Sequence, residues 1–271
     1  MDYKLVVLDM DDTLMTSENV MSERTKEALL AVQKQGVSVI LASGRPTNGM
    51  VNTARELELD KHHSHILSYN GARIFEMSDL SMIKETSLTK EQFDLCYDYC
   101  KSKGFFVLTY IDETIVYEGD HPYMNVEHEL TGLPMKQVES LKDYVQGNVP
   151  KLMGVDFEEK ISEANNELGG NYGQDIHVTT SKPFFLEFMA EGVSKGRALH
   201  ELVTELGISR EAIIAFGDSN NDKDMIEYAG LGVAMGNAND NIKNAADMIT
   251  GDHNSDGIAD ILEQFILKKQ L

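Results

Sequence analysis

A chain of 271 residues with 42% hydrophobic and 25% charged side chains has ordinary globular usage and enough length to bury its own core, which excludes disordered, collagen-like and low-complexity classes. Its formal net charge of −21 repels a phosphate backbone and an anionic membrane surface, so no nucleic acid and no membrane is expected as main partner, whereas a small anion held through a cation stays compatible. At roughly 150 residues per domain, the length asks for two modest domains or one large one.

No apolar run approaches the ~20 residues that span a bilayer. The N-terminal Leu5-Val6-Val7-Leu8 is closed by acids rather than a small-residue cleavage site, so a soluble, cytoplasmic protein is expected. Lys4 to Asp9 is a continuous apolar run ending in acid, the pattern of a strand buried on both faces in a parallel sheet. Ser22 as N-cap, apolar Ala28, Leu29 and Val32, and Gly36 as stop predict a helix. A second buried strand over Val37 to Ala42 ends in Ser43-Gly44-Arg45-Pro46 and feeds a helix from about Thr47 to Leu59. His62, His63 and His65 follow between helix and strand; they could bind a transition metal, but a solvated loop is the simpler reading.

From about Lys84 to Met189 the grammar changes to a helix containing Cys96 and Cys100, paired strands at Phe105 to Tyr110 and Thr114 to Glu118, and another pair at Ile176 to Thr180 and Phe184 to Met189. Such a mixed block reads as an inserted domain. The two cysteines lack a second pair or nearby histidines and are expected to be reduced, half-buried thiols. The strand-helix alternation then returns: Ala212 to Phe216 ending in Gly217-Asp218, a helix over about Asp222 to Ala229, a strand over Leu231 to Met235, and a last helix from about Asp256-Gly257. The expected fold is α/β, a doubly wound parallel-sheet core (1–84 and 190–271) with an inserted α+β cap domain (85–189).

Asp9-Met10-Asp11-Asp12-Thr13 sets three carboxylates directly after a buried strand, where repulsion demands a cation or shared protons. Gly217-Asp218-Ser219-Asn220-Asn221-Asp222 leaves another buried strand, and two such ends in one parallel sheet face one crevice. Either cluster alone is also ordinary turn chemistry; together they suit an oxygen-lined Mg²⁺ site. Ser43, followed by Gly44, and Lys195, just ahead of a helix starting near Arg197, would each set a donor beside an anion. Asp252 to Gly257 with Glu263 imitates a calcium loop. Ala259 at its eighth position and a short strand over Asp247 to Thr250 argue against one, leaving Asp256 as an N-cap.

These motifs, in this order and over essentially the whole chain, resemble the haloacid dehalogenase-like superfamily, specifically the Cof-type sugar phosphatases. Asp9-x-Asp11-x-Thr13 resembles the first motif, Ser43 in Ala42-Ser43-Gly44-Arg45-Pro46 the second, Lys195 the third and Gly217-Asp218-Ser219-x-Asn221-Asp222 the fourth. Asn70-Gly71-Ala72 and Met235-Gly236-Asn237-Ala238 are similar to recurrent Cof-type segments, and Asp12 stands where the family more often has glycine. The resemblance implies an aspartyl-phosphate on Asp9, with Asp11 as general acid and then base. It implies Mg²⁺ held by the Asp9 carboxylate, the Asp11 carbonyl and the Asp218 carboxylate, with Asp222 and Thr13 behind them. Ser43, Gly44, Lys195 and Asn221 would bind the phosphoryl group. An acid two residues after the nucleophile argues for a phosphatase or phosphomutase; a phosphosugar sensor is the rival from another class, although binding alone needs no nucleophile. The insert would act as a cap over the crevice, hinged near Asn70 to Lys84 and Glu187 to Val193, with Arg45, His121, His128 and Lys182 as polar candidates for substrate contact.

Overall fold

The computed structural model describes residues 2–267, which divide into two compact units: residues up to 44, 50–83 and from 194 on in the first, 45–49 and 84–193 in the second. The chain opens with β1 (Leu5–Leu8), α1 (Glu23–Lys34), β2 (Ser38–Ala42), α2 (Asn48–Glu56), β3 (His65–Ser68), β4 (Arg73–Glu76) and β5 (Ser81–Glu85). Ser22 caps α1 as expected, its Oγ accepting the Thr25 amide at 3.2 Å, and Gly36 leaves the helix at φ 82°, where an L side chain is strained. The histidine-bearing loop is partly strand: His65 opens β3 and is buried, its imidazole pulled below its ordinary range by that burial, while His63 is exposed. The segment expected to be a hinge, residues 70–84, carries β4, antiparallel to β3, and β5 beyond it.

The second unit comprises α3 (Lys90–Ser102), β6 (Phe106–Ile111), β7 (Thr114–Glu118), α4 (Val126–Thr131), β8 (Met135–Gln137), α5 (Leu141–Tyr144), β9 (Leu152–Val155), α6 (Glu158–Leu168), β10 (Ile176–Thr180) and β11 (Phe185–Ala190), with a six-stranded sheet ordered β10-β11-β9-β6-β7-β8. β9 sits inside this sheet, antiparallel to β11 and β6, yet it is four residues long and contains Gly154, which hid it from the sequence reading. A Cβ on Gly154 would lie 2.9 Å from Cys100 Sγ, so the glycine lets α3 close on the sheet. Cys96 and Cys100 are free and buried; burial pushes the Cys96 thiol up to about 12 and Cys100 well above its ordinary value.

The first unit resumes with α7 (Lys195–Glu205), β12 (Ile213–Gly217), α8 (Lys223–Tyr228), β13 (Leu231–Ala234), α9 (Asp240–Ala245), β14 (Met248–Ile249) and α10 (Gly257–Phe265). Its eight strands run in the order β14-β13-β12-β1-β2-β3-β4-β5, parallel from β14 through β3. Alternate residues of the central strands feed two apolar layers. Val6, Leu8, Val39, Leu41, Ile214 and Phe216 pack with residues of α1, α2 and α10. Leu5, Val7, Ile40, Ala42, Ile213 and Ala215 pack with α7 and α8. Apolar residues at every position of β1 follow directly from this two-sided burial.

Asp256 precedes α10 without capping it: its backbone is left-handed at φ 55° and its carboxylate accepts the Ser22 hydroxyl. The Asp252 Oδ1 is likewise occupied, accepting the Asn254 amide at 2.9 Å and the Ser255 hydroxyl at 2.7 Å. The acids of this calcium-like stretch are thus engaged by Ser22, Asn254 and Ser255.

Candidate active site

Parallel neighbours present their carboxyl ends on one side of a sheet, so β12, β1, β2 and β3 deliver Asp218, Asp9, Ser43 and Asn70 to one rim of the first unit. After Asp9 the chain makes a wide turn over Met10–Leu14, closed by the Met15 amide on the Met10 carbonyl at 2.8 Å. Within it Asp11 is extended (φ −69°, ψ 126°) and Asp12 left-handed (φ 60°, ψ 13°). That conformation is the physical reason glycine suits the Asp12 position, since it alone meets no Cβ penalty there.

Lys195 is the first residue of α7, two positions earlier than its sequence suggested, with Ser194 as N-cap. It is fully buried and donates to Asp9 Oδ1 at 2.5 Å and Asp222 Oδ1 at 2.6 Å. The other Asp222 oxygen accepts the amides of Asp218 and Ser219, both at 3.0 Å. Asp218 Oδ1 accepts the Thr13 hydroxyl at 3.0 Å and its Oδ2 the Ser219 hydroxyl at 2.9 Å. A continuous polar chain therefore runs from Thr13 through Asp218, Asp222 and Lys195 to Asp9.

Ligand oxygens of Asp9, Asp218 and Asp222 lie within 4.8 Å of one another. Burial, then the Asp222 charge, raises the Asp9 carboxyl well above its usual range despite Lys195; Asp218 and Asp11 add to the rise. Burial and Asp222 push Asp218 up to about 7, against the hydrogen bonds from Ser219 and Thr13. For Lys195 burial acts downward, but the Asp222 and Asp9 carboxylates outweigh it and hold the ammonium above its ordinary value. One buried cation among three buried carboxylates leaves uncompensated negative charge, so the donor set fits a divalent cation with oxygen preference. Asp222 is held by the Lys195 ammonium on one oxygen and by two backbone amides on the other, whereas Asp218 is met only by the Thr13 and Ser219 hydroxyls, which can turn, so Asp9 and Asp218 are the better-disposed carboxylate ligands.

The glycine before Asp218 is required by this packing. A Cβ on Gly217 would fall 2.5 Å from Asp222 Cβ and 2.7 Å from its Cγ. Gly217→Ala is expected to force the Asp222 side chain away from Lys195 and destabilise the first unit by about 1–3 kcal/mol, read as a lowered urea midpoint at unchanged slope.

Ser43 is buried, its amide donating to Leu67 O and its carbonyl accepting from the Asn70 amide, both at 2.9 Å. Asn70, buried and left-handed at φ 57°, also accepts Asn221 Nδ2 at 2.9 Å, and its Oδ1 lies 3.2 Å from where a Gly44 Cβ would stand. Asn70 thus joins the loops of Ser43, Gly44 and Asn221. Asn-Gly one residue past a buried strand is the sequence signal of such a left-handed turn. Asp11 is half-buried beside Asp9. Arg45, His121, His128 and Lys182 belong to the second unit. There Arg45 is buried and reaches Gly49 O at 3.4 Å, His121 lies among Phe106, Tyr123 and Phe157, and His128 Nδ1 meets Leu133 O at 2.6 Å.

No helix among the described residues is long and apolar enough to cross a membrane. The family profile of the haloacid dehalogenase-like hydrolases matches residues 6–262. The 5-amino-6-(5-phospho-D-ribitylamino)uracil phosphatase YcsE of Bacillus subtilis is 32% identical over 270 residues, spanning 98% of this chain and 97% of its own. A haloacid dehalogenase-like hydrolase from Bacteroides thetaiotaomicron has a crystal structure with a TM-score of 0.87 at 37% identity, over 98% of this chain and 100% of that one. The subclass IIB sugar phosphatase BT4131 superposes with a TM-score of 0.82 at 25% identity, over 97% and 98% of the two chains.

Proposed function

The chain belongs to the haloacid dehalogenase-like hydrolases and is a phosphoric monoester hydrolase, and from that premise we propose that it is a Mg²⁺-dependent cytoplasmic phosphatase of small phosphorylated metabolites of the sugar-phosphate class, working through an aspartyl-phosphate on Asp9. The observation that carries this reading is the buried Asp9 carboxylate, oriented by the Lys195 ammonium at 2.5 Å within a cluster of acids. Two relatives support the substrate class: YcsE by its name acts on a ribityl phosphate and BT4131 is named a sugar phosphatase. Both are monoesters of polyhydroxylated carbon chains. Free Cys96 and Cys100 suit a reducing compartment.

In this mechanism an Asp9 carboxylate oxygen forms a bond to phosphorus as the bond to the leaving alcohol breaks, and Asp11 gives that alkoxide its proton. Asp11, now ionised, takes a proton from water; the water oxygen attacks phosphorus, releasing inorganic phosphate and restoring Asp9. Two anions approaching to 4 Å repel by about 4 kcal/mol at an effective dielectric of 20, and Lys195 offsets that repulsion at the attacking oxygen. Ser43, the Gly44 amide and Asn221 hold the phosphoryl oxygens, since positioning is most of the work in a loose transition state. Asp222 holds Lys195 and Thr13 holds Asp218. Mg²⁺, bound by the carboxylates of Asp9 and Asp218 and the Asp11 carbonyl, supplies charge neutralisation at the transferred group. The unit of residues 45–49 and 84–193 serves as the cap domain, wider at both ends than the 85–189 expected from sequence, and the unit of residues up to 44, 50–83 and from 194 on serves as the core.

The test is phosphate release from sugar phosphates, nucleotides, pyridoxal phosphate and p-nitrophenyl phosphate, with Mg²⁺ or with EDTA. Release that needs Mg²⁺, with the largest specificity constants among sugar and sugar-alcohol phosphates, is expected. Undiminished release in EDTA would remove the metal from the proposal, and a clear preference for nucleotides would remove the substrate class.

A further inference from the structure

The turn over Met10–Leu14 reverses direction between an extended Asp11 and a left-handed Asp12, a step that costs a residue with a Cβ some strain, though less for aspartate than for most. The Asp12 carbonyl accepts Asn237 Nδ2 at 2.8 Å, and Asn237 Oδ1 accepts the His253 amide at 3.1 Å. A carbonyl only accepts and an amide only donates, so these two partners fix which way the Asn237 amide points. The 253–254 loop is tied back to the same segment: Asn254 Oδ1 accepts the Ser17 amide at 3.1 Å, Asn254 Nδ2 donates to Ser17 Oγ at 3.0 Å, and Ser17 Oγ meets His253 Nε2 at 2.9 Å. Gly236 allows this closeness, since a Cβ there would stand 2.9 Å from the Asp252 amide. The Asn237 and His253–Asn254 loops thus close a ring of hydrogen bonds with the segment from Asp12 to Ser17, more than 200 residues earlier in the chain.

We propose that Asn237 is a positioning residue that holds the Asp12 peptide, and through it aims Asp11 and Asp9 at the phosphoryl group; this rests on the roles given above to Asp9 and Asp11. The side chain is exposed, so its contribution is two hydrogen bonds rather than packing. Its loss costs little stability but loosens the groups that must be aligned during the chemical step, where small misplacements cost rate rather than binding.

The experiment measures kcat and KM for p-nitrophenyl phosphate with Mg²⁺, together with thermal midpoints, for Asn237→Asp, Asn237→Ala and Asp9→Asn. Asn237→Asp keeps the acceptor for the His253 amide but loses the donor to Asp12. Both Asn237 variants are expected to lower kcat about 10- to 100-fold with KM within about twofold and the midpoint nearly unmoved. If Asn237→Asp retains the parent kcat, the bond to Asp12 does no positioning and the proposal fails. It fails equally if only the aspartate variant loses rate, which would make added charge the cause, or if KM rises as kcat falls. Should Asn237→Ala not fold, Asn237→Ser, too short to span both partners, takes its place. An unimpaired Asp9→Asn would overturn the nucleophile assignment and this proposal with it, whereas an inactive Asp9→Asn beside a fully active Asn237→Asp would overturn this proposal alone.

Discussion

Replacing Asp9 by asparagine is expected to lower phosphate release by roughly 10⁴- to 10⁶-fold, the scale seen when a covalent nucleophile is removed, while raising the thermal midpoint of EDTA-treated protein. The two effects have one origin. Burial and the Asp222 charge hold the Asp9 carboxyl above its ordinary range. The stability it lends is therefore present when it is protonated, below the ordinary carboxylate value, and is lost as pH rises through its elevated folded value. Asparagine keeps the shape of the protonated form at all pH. The metal-free variant should consequently melt higher at neutral pH, by about 2–4 °C per kcal/mol relieved, with a gap that narrows on acidification. Scanning calorimetry at several pH values, beside a phosphate-release assay, checks both. A variant that keeps its turnover, or one that melts lower than the parent without metal, contradicts the account.

Lys195→Met is expected to have the largest effect on folding. The ammonium is fully buried between Asp9 and Asp222, and removing one partner of a buried ionic group strands the others without compensation, at a cost of about 3–5 kcal/mol. Turnover should fall as well, on the order of 10²- to 10³-fold, because the cation facing the attacking oxygen is gone. Urea unfolding in EDTA measures the first and phosphate release in saturating Mg²⁺ the second. Since added metal restores positive charge to the same acids, the stability deficit should shrink when Mg²⁺ is present. A deficit of the same size with and without Mg²⁺ would mean that Lys195 and the metal do not share these carboxylates.

Much of the first unit is legible in the chain because burial on both faces leaves its mark at every position: Leu5 to Leu8, Val39 to Ala42 and Ile213 to Phe216 are unbroken apolar runs that end in the residues of the polar rim. The second unit is less legible for the converse reason. β9 is four residues long, is flanked by a buried Lys151 and contains a glycine, so it lacks both alternation and a long apolar run, although it sits inside its sheet. β4 and β5 were hidden in a polar stretch, because the outer strands of a sheet need little apolar surface. In the site, acids placed directly after buried strands announce a shared charge problem from sequence alone. Asn70 and Asn237 stand in motifs that can be picked out in the sequence, but their tasks cannot, since what they do depends on loops 151 and 225 residues away and neither side chain carries a charge to be balanced.

The interrupted order of the first unit bears on how the protein is made. β1 pairs with both β2 and β12, and Thr13 meets Asp218 across 205 residues of chain. At about 5–20 residues per second on the ribosome, the N-terminal strands wait roughly 10–40 s for β12. During that interval the unpaired side of β1 is an open template for the β1 of a neighbouring nascent chain, while residues 84–193, contiguous apart from a five-residue segment, can already settle. Of the rim acids only Asp9, Asp11 and Asp12 exist in that interval, since Asp218 and Asp222 follow Lys195 in the chain.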